Sequence, residues 1–176
     1  GFDTTVSYRS SDASHVALPM LHTITVDQPT STVNFSVTRQ GTMNLNALSG
    51  ERRISFIVDE GCSLSLPGFT DVLDQIAWDV EPTGVLSFPS AQTFDGVVST
   101  TRGTVAAPAM TLMRNSELTI EAMGMVDFGS LTTVESTVLN LTDDVFVSFP
   151  DWTSMTGGPV RSELIVSGDA LLDAPA

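Results

Sequence analysis

A period of two in hydropathy constrains this chain more than any other feature. Residues 32–48 read TVNFSVTRQGTMNLNAL. Val33, Phe35 and Val37 alternate with Thr32, Asn34, Ser36 and Thr38, and after Arg39-Gln40-Gly41 the alternation resumes with Met43, Leu45 and Ala47. Side chains along a strand point to opposite faces in turn, so one apolar set and one polar set describe a strand covered on one side. A three-residue connection ending in Gly suits a hairpin, because Gly takes the left-handed conformation without steric cost. Pairing Thr38 with Thr42 sets Val37 opposite Met43, Phe35 opposite Leu45 and Val33 opposite Ala47. A slip by one residue would carry a whole apolar set to the polar face. The expectation is an antiparallel hairpin over 32–48.

The same alternation recurs in MLHTITV (20–26), RISFIV (53–58), CSLSL (62–66), ELTIEAMGMV (117–126), LTTVESTVLNL (131–141) and RSELIVS (161–167). Gly, Pro, Asp and Ser punctuate the runs, and many short strands with turn signals every ~8–12 residues predict a sandwich or barrel. Only FTDVLDQIAW (69–78) spaces its apolar residues as a helix does, with Thr70 or Asp71 able to cap it. Pro19 and Pro108 each open a strand pattern and point to edge strands, since Pro donates nothing to a ladder. No internal repeat or linker stands out. The fold expected is all-β: a single jelly-roll-like barrel or sandwich with at most one short helix. It forms one domain over 1–176, with 1–14 and 168–176 as terminal arms.

Charge narrows the classes of partner. There are seven Arg, no Lys and 21 acidic residues, for a net charge of −14. An ordinary chain of this length carries on the order of ten Lys. So negative a surface repels nucleic-acid phosphate and anionic lipid, and it is best tolerated where salt screens its self-repulsion. Without Lys there is no Schiff-base chemistry and no phosphate-loop lysine. No apolar run approaches the ~20 residues of a membrane-spanning helix, so direct membrane insertion is not expected. A lone Cys62, in CSLSL, forms no internal disulfide and reads as a small core residue.

The search for chemistry returns little. His15 and His22 are the only imidazoles, and His22 shares the apolar face of MLHTITV, which places it in the core. No nucleophile elbow surrounds any Ser. Glu117 and Glu121 share the polar face of 117–126, and Glu135 that of 131–141; they read as solvated strand faces. Asp143-Asp144 and Asp71-x-x-Asp74 lack the spaced oxygens of a calcium loop. No catalytic, cofactor-binding or metal-ligating residue is assigned, and the chain is not expected to be an enzyme. Asn34-Phe-Ser36 and Asn140-Leu-Thr142 fit the N-glycosylation pattern, and Gly1 with Thr5 fits a myristoylation pattern if a Met precedes. Candidate interface residues are Tyr8 and Trp152, as large amphipathic rings, and Leu171 and Leu172, as an apolar pair in the C-terminal arm.

Strand faces rich in Ser, Thr and Asn suit repeated contacts, because an unpaired buried charge costs more than an unpaired hydroxyl. With the absence of Lys and the ribbon TVNFSVTRQGTMNLNAL, the chain resembles the small major capsid proteins of tailless icosahedral internal-membrane viruses of haloarchaea. The resemblance implies a single upright jelly roll in the virion. Its partners would be other copies of itself and a second capsid protein. Two other classes are weighed beside it: an extracellular Ig-like or adhesin-like binding module, and a carboxylate-dependent carbohydrate-active enzyme.

Overall fold

A computed structural model describes residues 5–12, 14–22, 32–49, 53–73, 76–158 and 161–174. Its strands in chain order are β1 (Thr5–Ser10), β2 (His15–Ala17), β3 (Thr32–Val37), β4 (Thr42–Asn44), β5 (Ile54–Val58), β6 (Ser63–Ser65) and β7 (Asp71–Leu73). Next come β8 (Ala77–Val80), β9 (Val85–Ser87), β10 (Thr93–Asp95), β11 (Val98–Thr101), β12 (Thr104–Ala106), β13 (Leu112–Arg114) and β14 (Glu117–Ile120). The chain continues through β15 (Met125–Asp127), β16 (Thr133–Glu135), β17 (Val138–Thr142), β18 (Phe146–Ser148), β19 (Ser154–Thr156), β20 (Glu163–Ser167) and β21 (Leu171–Asp173).

All of these strands pair in parallel, and consecutive strands belong to different sheets. The first face is an eight-stranded sheet, β1-β3-β5-β8-β11-β14-β17-β20. The second face is made by β2-β4, β6-β9-β12-β15 and β18-β21, and the third by β7-β10-β13-β16-β19. The molecule is therefore a parallel β-solenoid, not the jelly-roll barrel or sandwich expected. Among the described residues each coil lays down a strand on the first and second faces and five coils add one on the third, so the remaining faces serve as the crossover that a parallel pair requires. Eight rungs about 4.8 Å apart make a rod about 34 Å long.

The hairpin over 32–48 is overturned in an instructive way. Val33, Phe35, Val37, Met43 and Leu45 are all buried, as the alternation demands. But β3 pairs with β1 and β5, while β4 pairs with β2. The turn between them closes from the Gly41 N–H to the Thr38 carbonyl at 2.9 Å, with Arg39 and Gln40 at positive φ. It bends the chain around a corner and does not send it back. The helix over 69–78 is absent too: Phe69 is buried at the end of a turn, β7 and the start of β8 occupy the rest of the described span, and residues 74–75 lie outside the described residues. The strand pattern over 20–26 lies mostly outside them as well, and His22 is exposed, not in the core.

An internal repeat does exist. After seven of the eight second-face strands comes a four-residue turn: Leu18–Leu21, Leu45–Leu48, Leu66–Phe69, Phe88–Ala91, Ala107–Met110, Phe128–Leu131 and Phe149–Trp152. In each, the last N–H donates to the first carbonyl at 2.9–3.3 Å. Both end residues point inward. Pro19, Pro67, Pro89, Pro108 and Pro150 take the second position, where their fixed φ is already that of the turn. Pro19 and Pro108 are thus corner residues and do not open edge strands.

Another corner is held by hydroxyls. The chain bends there through Gly96, Asn115 and Ser136, all at positive φ. Ser116 Oγ accepts from the Val97 N–H at 3.1 Å, Thr137 Oγ1 from the Ser116 N–H at 3.3 Å, and Ser162 Oγ from the Thr137 N–H at 3.3 Å. Each hydroxyl satisfies a backbone donor of the preceding coil, which explains why Ser116 and Thr137 are buried beside an apolar core.

Like stacks on like inside the rod. Val37, Val58, Val80, Thr101, Ile120 and Leu141 form one inward ladder. Aromatic rings form a spine: Tyr8–Phe35–Phe56–Phe88–Phe94–Phe128–Phe149–Trp152, with centroids 5.2–6.2 Å apart. Phe88, Phe128 and Phe149 start the repeated turn in their coils, and Ala107 occupies that place in the coil between the first two. Phe94 touches both Phe88 and Phe128, filling the volume Ala107 leaves.

Candidate functional site

The most organised polar cluster lies on the first face. The corner after β11 is tight, passing from Thr101 through Arg102 to Gly103 and straight into β12. It aims Arg102 along the rod between the acids of adjacent coils. Arg102 donates to Glu81 Oε1 at 2.8 Å and to Asp79 Oδ1 at 3.2 Å, and its Nε stands 3.8 Å from Glu121 Oε2. That Nε is covered and makes no hydrogen bond, so its pairing with Glu121 is purely coulombic. The hydrogen bond to Asp79 raises the Arg102 pKa above its ordinary value; partial burial opposes this, and the charges of Glu81, Asp79 and Glu121 add to it.

The third face repeats the device. Arg114 is in register with Asp95 on one side and Glu135 on the other, and its Nε donates to Asp95 Oδ2 at 2.9 Å. Like charges on rungs about 4.8 Å apart repel. Each of these arginines separates carboxylates that a parallel stack would otherwise bring together. Sequence reasoning missed both, although they are two of only three Arg beyond residue 53.

Beside Arg102 is an open depression of about 560 Å³, lined by Asp79, Thr100, Glu117, Thr119 and Glu121 among others. Two of its carboxylates are already engaged by Arg102. The cluster therefore works as a charge clamp. Arg102→Gln is expected to lower stability by about 0.5–1 kcal/mol at low salt, because the side chain is more than a third exposed and screened by water. The loss should shrink toward zero in molar salt. Urea titrations at both ionic strengths check this, and a salt-independent loss would mean that packing, not charge, is what the residue supplies.

The residues singled out from sequence are scattered over the rod. Tyr8 is half-buried and stacks on Phe35 at 5.2 Å. Trp152 is half-buried, edge-on to Phe149, and donates its indole N–H to the Ser154 carbonyl at 2.8 Å. Leu171 is exposed on β21, while Leu172 beside it packs against the core. Residues 5–10 and 171–173, within the expected arms, form β1 and β21. Cys62 is buried. His15 is exposed, with Nδ1 2.6 Å from Thr42 Oγ1. Glu117 is exposed on the first face, Asp143 and Asp144 form an exposed corner, Asp71 is on β7 and Asp74 lies outside the described residues. Asn34 and Asn140 both sit at outward positions of the first sheet. Among the described residues, no three His, Cys, Asp or Glu side chains gather as metal ligands.

Two asymmetries run along the axis. Residues 1–53 hold four Arg and four acids, whereas 54–176 hold three Arg and 17 acids. Among the described residues nine large hydrophobics are exposed, and seven of them lie from Met123 to Leu171. Met125, Phe146 and Leu171 follow one another on successive coils of the second face. Both trends make the C-terminal coils the acidic, apolar end of the rod. Comparison with protein-family models, with curated proteins and with solved structures finds no match for this chain.

Proposed function

We propose that the chain is a structural module, a stiff rod that serves by associating with further copies of itself. The observation that carries this reading is the concentration of seven exposed large hydrophobics on the last coils. Three of them, Met125, Phe146 and Leu171, follow one another on the second face, and exposed apolar surface of this type marks an interaction site. The outward faces support the same reading. Ladders such as Ser7–Asn34–Ser55 and Thr100–Thr119–Asn140 offer close, uncharged contact surfaces. The carboxylates best placed for chemistry are tied to Arg102, which favours a structural over a carbohydrate-active role. Capsid membership lost its architectural support with the jelly roll and forms no part of the proposal.

Sedimentation equilibrium over a salt series tests it. At a net charge of −14, association is expected to strengthen as salt screens repulsion between copies. A rod that remains monomeric at every salt and protein concentration overturns the reading.

A further inference from the structure

We infer that the apolar stripe on the second face docks a basic amphipathic helix of another protein, laid along the rod. This occupant goes beyond self-association but draws on the same stripe, so it competes with further copies and salt decides between the two.

Three observations point to it. First, the stripe is an outward feature of the coils and does not depend on where the chain stops. Met125 is 60% exposed and Phe146 is 61% exposed, although each has a coil on either side. The stacked rings of Phe128 and Phe149, 6.2 Å apart, open the turns that follow these two strands and hold them in register. Met125 therefore lies beside Phe146, and Phe146 is paired with Leu171. Exposed Met123 adjoins Met125 at the corner.

Second, carboxylates border the stripe on both sides without a cation. Asp143, Asp144 and Asp169 occupy the corner that leads into the strands, and Asp127 and Asp173 the outward position beyond the apolar residue. Asp173 accepts from the Ser148 hydroxyl at 3.3 Å, but among the described residues none of the five carboxylates is ion-paired. A second copy is poor in the missing charge: it has no Lys, and Arg39, Arg102, Arg114 and Arg161 are already paired. It sets acid against acid, so its approach needs salt. An anionic lipid surface is repelled for the same reason. A segment with Lys or Arg on both sides of an apolar row is attracted at both borders.

Third, the spacing selects a helix. The stripe presents one side chain per rung along the rod axis, about 4.8 Å apart. An amphipathic helix presents an apolar row that repeats every turn, about 5.4 Å, between two polar flanks. An extended strand repeats on one face only every ~6.8 Å and falls out of step sooner. The outward face offers side chains and no backbone groups, which suits apolar anchors on a helix better than strand pairing.

The test uses the full chain and a fluorescein-labelled synthetic peptide of about 18 residues, roughly five turns, with Leu along one face and Lys on both flanks. Anisotropy at about 0.1 M salt, where the Debye length is about 10 Å, is expected to report binding that weakens at least tenfold at about 1 M. Phe146→Ser, and Asp127→Asn combined with Asp144→Asn, are each expected to weaken binding at least tenfold. Glu60→Gln combined with Glu117→Gln removes the same charge from exposed positions away from the stripe, and is expected to leave binding within about twofold of wild type. Thermal melts check that all three variants keep the wild-type midpoint. No binding at the lower salt overturns the proposal, and so does undiminished binding to Phe146→Ser. Equal weakening by the border pair and the remote pair means attraction to net charge only, and overturns it as well. Sedimentation without peptide reads self-association separately. A rod that stays monomeric yet binds the peptide at the stripe overturns only the self-association reading; a rod that associates in salt yet ignores the peptide overturns only the helix.

Discussion

Replacing Phe88 with alanine is expected to cost about 3–5 kcal/mol of unfolding free energy, the range for deleting a fully buried phenyl ring. Phe88 is wholly buried and sits where four rings meet: Phe56 at 6.2 Å, Phe69 at 5.9 Å, Trp78 at 5.7 Å and Phe94 at 5.6 Å. The position matters as much as the volume. In a solenoid each coil touches only its neighbours, so stability is a sum of coil and interface contributions. A cavity in a middle coil weakens the coupling between the two halves, and the urea transition should broaden as well as shift. Trp78, beside the cavity, reports the change by fluorescence. Phe146→Ser is the matched control: that ring is 61% exposed, and its loss should change stability by less than about 0.5 kcal/mol. A Phe88→Ala midpoint indistinguishable from wild type would refute the stacked-coil arrangement itself.

Gly103→Ala is expected to destabilise the rod by about 1–3 kcal/mol, an overpacking cost that no rotamer change can relieve. A Cβ at this position would run into the carbonyl oxygens of Glu81 and Gly84, both backbone atoms of the preceding coil, and into Val80 Cγ1. The corner is tight because the coil is short: Val85 and its partner Thr104 are 19 residues apart, whereas Ser63 and Val85 are 22 apart. Gly84 and Gly124, at the same corner of the adjoining coils, meet backbone carbonyls in the same way. Gly129→Ala is the contrast, since its Cβ would have only Asp127 Oδ1 nearby, at 3.5 Å. Thermal melts of the two variants should separate clearly. Equal midpoints would mean that the coils are further apart at this corner than described.

These effects bear on how much could be read without the structure. Burial followed the alternation closely: Val33, Phe35, Val37, Met43, Leu45 and Cys62 are inside, as their parity requires. The all-β class followed as well. Architecture and pairing did not. The repeated turn, seen in Leu-Pro-Met-Leu, Leu-Pro-Gly-Phe, Phe-Pro-Ser-Ala, Ala-Pro-Ala-Met and Phe-Pro-Asp-Trp, was available to a search for periodicity. Coil lengths that vary from 19 to 27 residues between paired positions blur it. The helix expected over 69–78 came from apolar residues of a turn and two strands that meet by chance at helical spacing. The Arg102 cluster was invisible for a different reason: Asp79, Glu81 and Glu121 reach it only because three coils are stacked in register.

Alternation by itself therefore determined which side chains face the interior and that short strands carry them. It could not determine which strand lies beside which. An antiparallel hairpin and a stack of parallel coils bury the same alternate residues, so hydropathy does not distinguish them. The choice is made by backbone hydrogen bonds between residues about twenty positions apart, and by corners that turn the chain through part of a circle where a hairpin would reverse it. Those bonds involve groups that every residue carries, and only the assembled rod shows where they go.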